Sequence, residues 1–256
     1  MSLCREVVII LAAGKGTRMG SPGPKVLARL CGRPMIEWVI NAVRKAGITR
    51  VLVVVGHKKE GVTMVLEGLG VDWVEQPQQL GTGDALKVAS ALLKSHVIDD
   101  TPEDIIVLPG DAPLVKPDTI KTLGKMHRET HSDATIVTAY LDDPRGYGRV
   151  VRDVQGRVRG IVEELDATEE EAEIKEVNSG VYCFRLAPLL EALERLTPGN
   201  RKGEYYLTQV IEVLSGMGKR VSAVVVSDPN EVLGVNSPED LKRVSLIAGG
   251  ETKVCR

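Results

Sequence analysis

Aromatic side chains are scarce in this chain, with one Phe, two Trp and five Tyr making up 3% of 256 residues, so its core must be built mainly from Val, Ile, Leu and Ala. Cysteine is also thin. Cys4, Cys31, Cys183 and Cys255 are scattered with no C-x-x-C pair, which argues against a structural zinc site or a disulfide framework and predicts free thiols. The N-terminal MSLCREVVIILAAG has too short an apolar run to span a membrane and lacks the cleavable pattern of a secretory signal, so a cytoplasmic protein with no membrane partner is expected. Neither charge is in surplus. Lys and Arg number 33 against 35 Asp and Glu, a formal net charge of −2, which excludes a protein devoted to coating nucleic acid, because meeting phosphate needs an excess of cations. Low-complexity tracts, solenoid repeats and Asp-x-Asp pairs are missing too, as is any Pro/Gly/Ser linker long enough to separate independent domains.

What is present is an alternation of short β-branched runs with longer amphipathic segments. Val7 to Leu11 is a continuous apolar run, the pattern of a strand buried on both faces. From Pro34 the apolar residues Met35, Ile36, Val39, Ile40 and Val43 recur at helical spacing until Gly47. Val51 to Val55 is a second buried run. A short helix, a strand near Val71 to Val74, a helix from about Asp84 to Leu93 and the run Ile105 to Pro109 continue the theme. Strands separated by helices in this order imply right-handed crossovers, hence a doubly wound α/β half with a mainly parallel sheet. After about residue 130, Ala134 to Tyr140, Gly148 to Arg152, Val158 to Val162 and Glu176 to Phe184 read as strands of a more antiparallel, mixed region. Helices are predicted over Leu186 to Leu196, Glu204 to Leu214 and from Pro238, with a strand at Val221 to Val226; the acidic stretch Glu163 to Glu176 reads as a solvated connection. The second half is expected to lie over the first as a substrate lobe.

The strongest local signal is Leu11-Ala12-Ala13-Gly14-Lys15-Gly16-Thr17-Arg18-Met19, followed by Lys25. It leaves a buried strand at the edge where α/β sheets bind ligands, its glycines let backbone N–H groups approach phosphate, and Lys15, Arg18 and Lys25 can neutralise it. A dinucleotide fingerprint is excluded because Met19 stands where a third Gly is required, and a Walker A loop because Gly20 is followed by Ser21. Read as residues alone, His57 is a structural or exposed histidine, Asp111 a turn residue or cap, Asn236 the start of the last helix, Gln76 a polar strand end and Glu163 one carboxylate of an acidic run.

Leu-Ala-Ala-Gly-x-Gly-Thr-Arg-Met with Pro24-Lys25 resembles the signature of sugar-phosphate nucleotidylyltransferases. Further blocks are similar, in order, to N-acetylglucosamine-1-phosphate uridyltransferases: Gln76 to Gly83, Gly146-Tyr147-Gly148-Arg149, Ile161 to Glu164, Val177-Asn178-Ser179-Gly180, Gly203 to Thr208 and Gly234-Val235-Asn236. The resemblance covers about residues 5 to 245. It implies a Rossmann-like, glycosyltransferase-A-like sheet in a single domain over 1–256, with a nucleotide-binding half to about residue 130 and a sugar-binding half to about 245. It also implies roles. Leu11, Ala12, Ala13 and Gly14 would hold the nucleotide, Gln76 would read uracil through an amide matching its N3–H and O4 edge, and Gly81 and Thr82 would complete that pocket. Arg18 and Lys25 would stabilise the phosphates, Asp111 and Asn236 would ligate Mg²⁺, and Gly148, Glu163, Asn178 and Ser179 would hold the sugar. Two positions depart from the family pattern: Pro109 replaces a frequent aromatic residue and Ser179 a usual Thr.

The implied activity is Mg²⁺-dependent transfer of a uridylyl group from UTP to N-acetylglucosamine 1-phosphate, with small molecules as partners and a homo-oligomer compatible with the reading. Another sugar 1-phosphate or nucleoside triphosphate is the alternative within the class, and a non-catalytic nucleotide-binding module the alternative outside it. A nucleotide-sugar-consuming glycosyltransferase fits less well without an Asp-x-Asp motif. Bacterial relatives continue into a left-handed β-helix that acetylates glucosamine 1-phosphate; no hexapeptide repeat occurs here, so that second activity is not expected.

Overall fold

The β-branched runs are strands in the computed structural model, which describes residues 6–20, 23–94 and 102–251. β1 (Val7–Leu11) is followed by a small hairpin of β2 (Arg29–Leu30) and β3 (Arg33–Pro34), then α1 (Met35–Lys45), β4 (Val51–Val55), α2 (Lys59–Leu69) and β5 (Asp72–Glu75). α3 (Thr82–Lys94), β6 (Asp104–Pro109) and α4 (Pro117–Glu129) complete the first half. The second half supplies β7 (Ala134–Tyr140), β8 (Arg149–Arg152), β9 (Val158–Val162), α5 (Glu169–Ala172), β10 (Glu176–Arg185), α6 (Leu186–Leu193), α7 (Gln209–Gly216), β11 (Val221–Val225) and α8 (Pro238–Glu251).

The main sheet has the order β11-β7-β10-β6-β1-β4-β5, with β8 and β9 attached beside β10. β6, β1, β4 and β5 are mutually parallel, as expected for the doubly wound half. Pleating sends successive side chains to opposite faces, so β1 feeds two cores. Val8 and Ile10 pack with Ile36, Val39 and Ile40 of α1 and with Ile120 and Leu123 of α4, while Val7 and Ile9 pack with Leu86 and Leu93 of α3 and with residues of α6 and α7. α8 joins the hairpin in a third, smaller cluster that includes Met19, Leu30, Val235 and Val244.

Several expectations are corrected. The second half does not lie over the first; β10 pairs antiparallel with β6, Tyr182 opposite Val107, so the later strands extend the same sheet edge to edge and satisfy the ladder that β6 would otherwise leave open. The helix expected over Glu204 to Leu214 starts only at Gln209. Tyr205 N–H donates to Leu80 O at 2.8 Å and Tyr205 O accepts from Gly83 N–H at 2.7 Å, which draws this backbone away from helical pairing. The acidic connection contains α5, one helical turn closed by a capping box between Thr168 and Glu171. Cys183 is a free, buried thiol, Cys31 is disulfide-bonded rather than free, and Cys4 and Cys255 lie outside the described residues. No described helix is long and apolar enough to cross a membrane.

Candidate active site

The site forms where parallel strands end together. Leu11 and Pro109 are opposite each other in the β1–β6 ladder. Beyond the strands, Gly110 N–H donates to Leu11 O at 2.9 Å, Ala12 N–H to Val54 O at 2.9 Å and Gln76 N–H to Val55 O at 2.8 Å. These bonds hold the glycine-rich loop, Gln76 and the Gly110-Asp111 turn along one sheet edge. Because β10 runs the other way, its first half brings Asn178 to the same edge. The result is a cleft of about 530 Å³, lined among others by residues 11–14, Lys25, Gln76, Gly81, Thr82, Asp111, Glu163 and Asn178.

At its centre Lys25 Nζ pairs with the Asp111 carboxylate and donates to Asn236 Oδ1 at 2.9 Å; Arg18 Nη2 donates to the same oxygen at 3.0 Å. Lys25 is pressed against the glycine-rich loop so closely that a Cβ on Gly16 would stand 2.8 Å from its own Cβ. Asn236 is held from behind. Val235 N–H donates to Asp111 O at 2.9 Å, and the Asp240 carboxylate accepts from the N–H groups of Asn236 and Ser237, both at 2.9 Å, as part of the cap that starts α8. Thus Asn236 joins the site through Lys25 and Arg18 through Asn236, neither of them lining the cleft itself.

At one end, the Gln76 amide nitrogen donates to Gly81 O at 3.0 Å and to Asp84 Oδ2 at 2.7 Å, leaving its carbonyl oxygen as the ligand-facing half. Only part of the expected uracil-matching amide is therefore free. Thr82 Oγ1 accepts from Leu207 N–H at 3.0 Å, which ties the 203–208 segment to the pocket. At the other end, Glu163 is half-buried and accepts from the Thr208 hydroxyl at 2.9 Å. Burial pushes its carboxyl above the ordinary range, against the opposing pull of the Thr208 bond. Asn178 Nδ2 donates to the Tyr182 hydroxyl at 2.7 Å, and its buried Oδ1 has no partner among the described residues. Gly148 stands behind Asn178, its carbonyl accepting Asn178 N–H at 2.9 Å. Ser179 is not brought in as expected. Its hydroxyl donates to Val137 O at 2.7 Å and accepts from Val181 N–H at 3.0 Å, so it props the register shift in β10 and does not line the cleft.

Residues 8–212 match the MobA-like NTP transferase domain. The chain belongs to that family. It is 47% identical over 244 residues to the bifunctional protein GlmU of Acetivibrio thermocellus and 44% identical over 241 residues to that of Caldanaerobacter subterraneus subsp. tengcongensis, covering 95% and 94% of this chain and 50% and 51% of those proteins. The chain therefore spans about half the length of the curated relatives it matches. Its fold is that of a UDP-glucose pyrophosphorylase crystallised with UDP-glucose (TM-score 0.76, 18% identity, 98% of this chain and 100% of that one). A putative glucose-1-phosphate thymidylyltransferase from Bacillus anthracis is similar (TM-score 0.73, 19% identity, 95% of each chain). The expected doubly wound, mainly parallel nucleotidyltransferase sheet is thus the one observed.

Within this NTP transferase domain, sequence reading missed Asp84, Tyr182 and Thr208. Asp84 stands at the start of a predicted helix, Tyr182 inside the predicted strand Glu176 to Phe184, and Thr208 inside the wrongly extended helix; only its place in the Gly203 to Thr208 block was a signal. The upward shift of the Glu163 pKa has a stability consequence. A carboxyl whose folded-state pKa lies above its unfolded value favours the fold when protonated and loses that contribution as pH rises past the ordinary carboxylate range. Glu163→Gln, which keeps the acceptor for Thr208, is expected to raise the thermal midpoint at pH 7, with the gain vanishing at low pH where both side chains are neutral. Paired melts at the two pH values check this, and an equal or lower midpoint at pH 7 refutes it.

Proposed function

We propose that this cleft joins UTP to N-acetylglucosamine 1-phosphate, forming UDP-N-acetylglucosamine and releasing pyrophosphate. The observation that carries the reading is the order of chemistries along one cleft: a fixed base-facing acceptor at Gln76, the Lys25-Asp111-Asn236-Arg18 cluster in the middle, and the unpartnered Asn178 Oδ1 beside Glu163 at the far end. A buried acceptor without a donor suits a sugar hydroxyl or an acetamido N–H. The similarity to GlmU proteins supports the choice of sugar.

In this reaction a phosphate oxygen of the sugar phosphate attacks the α-phosphorus of UTP, and the bond to the β-phosphate oxygen breaks as pyrophosphate leaves. The nucleophile is already an anion, so no protein base is needed; what the protein supplies is in-line placement and neutralised charge. Lys25 and Arg18 provide fixed cations, and the glycine-rich loop provides close backbone approach. Asp111 and Asn236 fit Mg²⁺: one oxygen of each reaches the same Lys25 ammonium, so two hard donors face one cation position, and water and phosphate oxygens suit the rest of the shell. When bound, the ion supplies further neutralisation of phosphate charge.

Pyrophosphate release that requires UTP, N-acetylglucosamine 1-phosphate and Mg²⁺ together is the test. Turnover with a different sugar phosphate or nucleotide reassigns the substrate, and UTP binding without turnover on any sugar phosphate leaves a binding module. Asp111→Asn removes the one formal negative charge facing that cation position and is expected to raise the Mg²⁺ concentration for half-maximal rate by about tenfold or more. An unchanged Mg²⁺ titration removes Asp111 from the metal site.

A further inference from the structure

The Gln76 amide can point only one way. The residue is 2% exposed, and its amide nitrogen has both hydrogens committed, one to Gly81 O and one to Asp84 Oδ2. Both partners are oxygens that accept and do not donate, so turning the amide over would set its carbonyl oxygen against a backbone carbonyl and a carboxylate at bonding distance. Of the two locks, Asp84 is the charged one and makes the shorter bond.

We infer that Asp84 is the specificity-determining positioning residue of the base pocket. By fixing the Gln76 amide with its carbonyl toward the ligand, it selects a pyrimidine that carries N–H at ring position 3, as uracil does, over one with a bare nitrogen there, as in cytosine. A cytosine ring would bring two acceptors together unless the amide turned over, and Asp84 opposes that turn. Asp84 also lies in the first turn of α3, where a carboxylate stabilises a helix by itself. A structural role and a selective role must therefore be separated. The inference rests on the proposed placement of the base at Gln76 and adds to it the residue that makes the choice.

The experiment measures kcat/KM for UTP and for CTP in the full chain and in Asp84→Ala, Asp84→Asn, Gln76→Ala and the Asp84→Ala/Gln76→Ala double variant. The UTP/CTP ratio is used because it cancels any loss of folded protein; calorimetric Kd values for the two nucleotides give the same ratio for a variant without turnover. Asp84→Ala is expected to lower the ratio by about tenfold, the value of one hydrogen bond to a charged acceptor. Asp84→Asn, whose carbonyl oxygen can still accept, should keep most of the ratio, and Asp84→Ala should change nothing further once Gln76 is Ala. If Gln76→Ala lowers the ratio and Asp84→Ala does not, or if Asp84→Ala acts equally without Gln76, the role of Asp84 is overturned while the base-reading role of Gln76 stands. If Gln76→Ala leaves the ratio intact, the base is read elsewhere and both fall.

Discussion

Lys25→Ala is expected to lower kcat by roughly 10²–10³-fold, about 3–4 kcal/mol of transition-state stabilisation, with a much smaller change in KM for UTP. The proposed reaction sets the ammonium among phosphates: the glycine-rich loop presses on its stem, and its tip meets Asp111 and Asn236, the pair that would pass to Mg²⁺ when the ion binds. A cation fixed before the reaction needs no reorganisation as charge shifts from the attacking oxygen to pyrophosphate. Arg18 is not placed to take its role, because among the described residues it bonds to Asn236 and not to the Asp111 carboxylate. Lys25→Arg should recover only part of the rate, since a planar fork spreads its charge where the ammonium is a compact point charge. The two changes should differ in stability. The Lys25 and Asp111 side chains keep only 16% and 18% of their exposure, so Lys25→Ala leaves a largely buried carboxylate without its cation and should lower the melting midpoint as well, whereas Lys25→Arg keeps the charge; the rate is therefore compared per folded enzyme. Steady-state pyrophosphate release and a thermal melt check the two halves. A rate loss below about tenfold, one factor of 1.4 kcal/mol, would place Lys25 outside the chemistry.

Gly81→Ala is expected to be the most damaging single methyl group in the domain. Gly81 has φ +119°, a conformation that an L side chain rarely adopts, and a Cβ there would stand 2.5 Å from Tyr205 O and 2.8 Å from Tyr205 N. Those atoms cannot move aside cheaply, because they are the ones bonded to Gly83 N–H and Leu80 O. Strain and the loss of this backbone pair together should cost about 3 kcal/mol or more, a fall of roughly 6–12 °C in Tm for a domain of this size. The base pocket should fail with it, since Gly81 O is one of the two anchors of Gln76. A thermal melt and a calorimetric UTP titration on the same preparation test both effects. A variant that melts like the parent and binds UTP normally would show that the 203–208 segment is not clamped as described.

Much of this was legible beforehand for a definite reason. Val7–Leu11, Ala134–Tyr140 and Val158–Val162 are strands with the bounds that their apolar patterns predict, because burial on one or both faces of a strand is written directly into residue spacing. The glycine-rich loop, Gln76, Asp111, Glu163 and Asn178 meet in one cleft because each lies on or just beyond a strand that such patterns locate, and Lys25, fourteen residues past the end of β1, folds back against that loop. The failures share a cause as well. Tyr205 and Leu207 fit a helical stripe, but Tyr205 bonds through its backbone to Leu80 and Gly83 and Leu207 N–H donates to the Thr82 hydroxyl, all more than a hundred residues earlier, and no local pattern reports such partners. The family resemblance implies a sugar contact at Ser179, and a register shift in β10 turns its hydroxyl inward instead.

The sequence by itself determined most of the strands and helices, which of their faces are buried, and that a glycine-rich loop flanked by cations leaves the end of β1. Periodicity records burial, and burial is a property of one element at a time. Tertiary structure alone decided which strand edges meet, placing β10 against β6 and so bringing Asn178 to the nucleotide edge. It also decided which donor faces which acceptor: Gln76 on Asp84, Thr208 on Glu163, and, among the described residues, no donor on Asn178 Oδ1. Backbone edges are chemically alike from one strand to the next, and a hydrogen bond depends on a few tenths of an ångström between groups far apart in the chain, so neither leaves a mark on residue spacing.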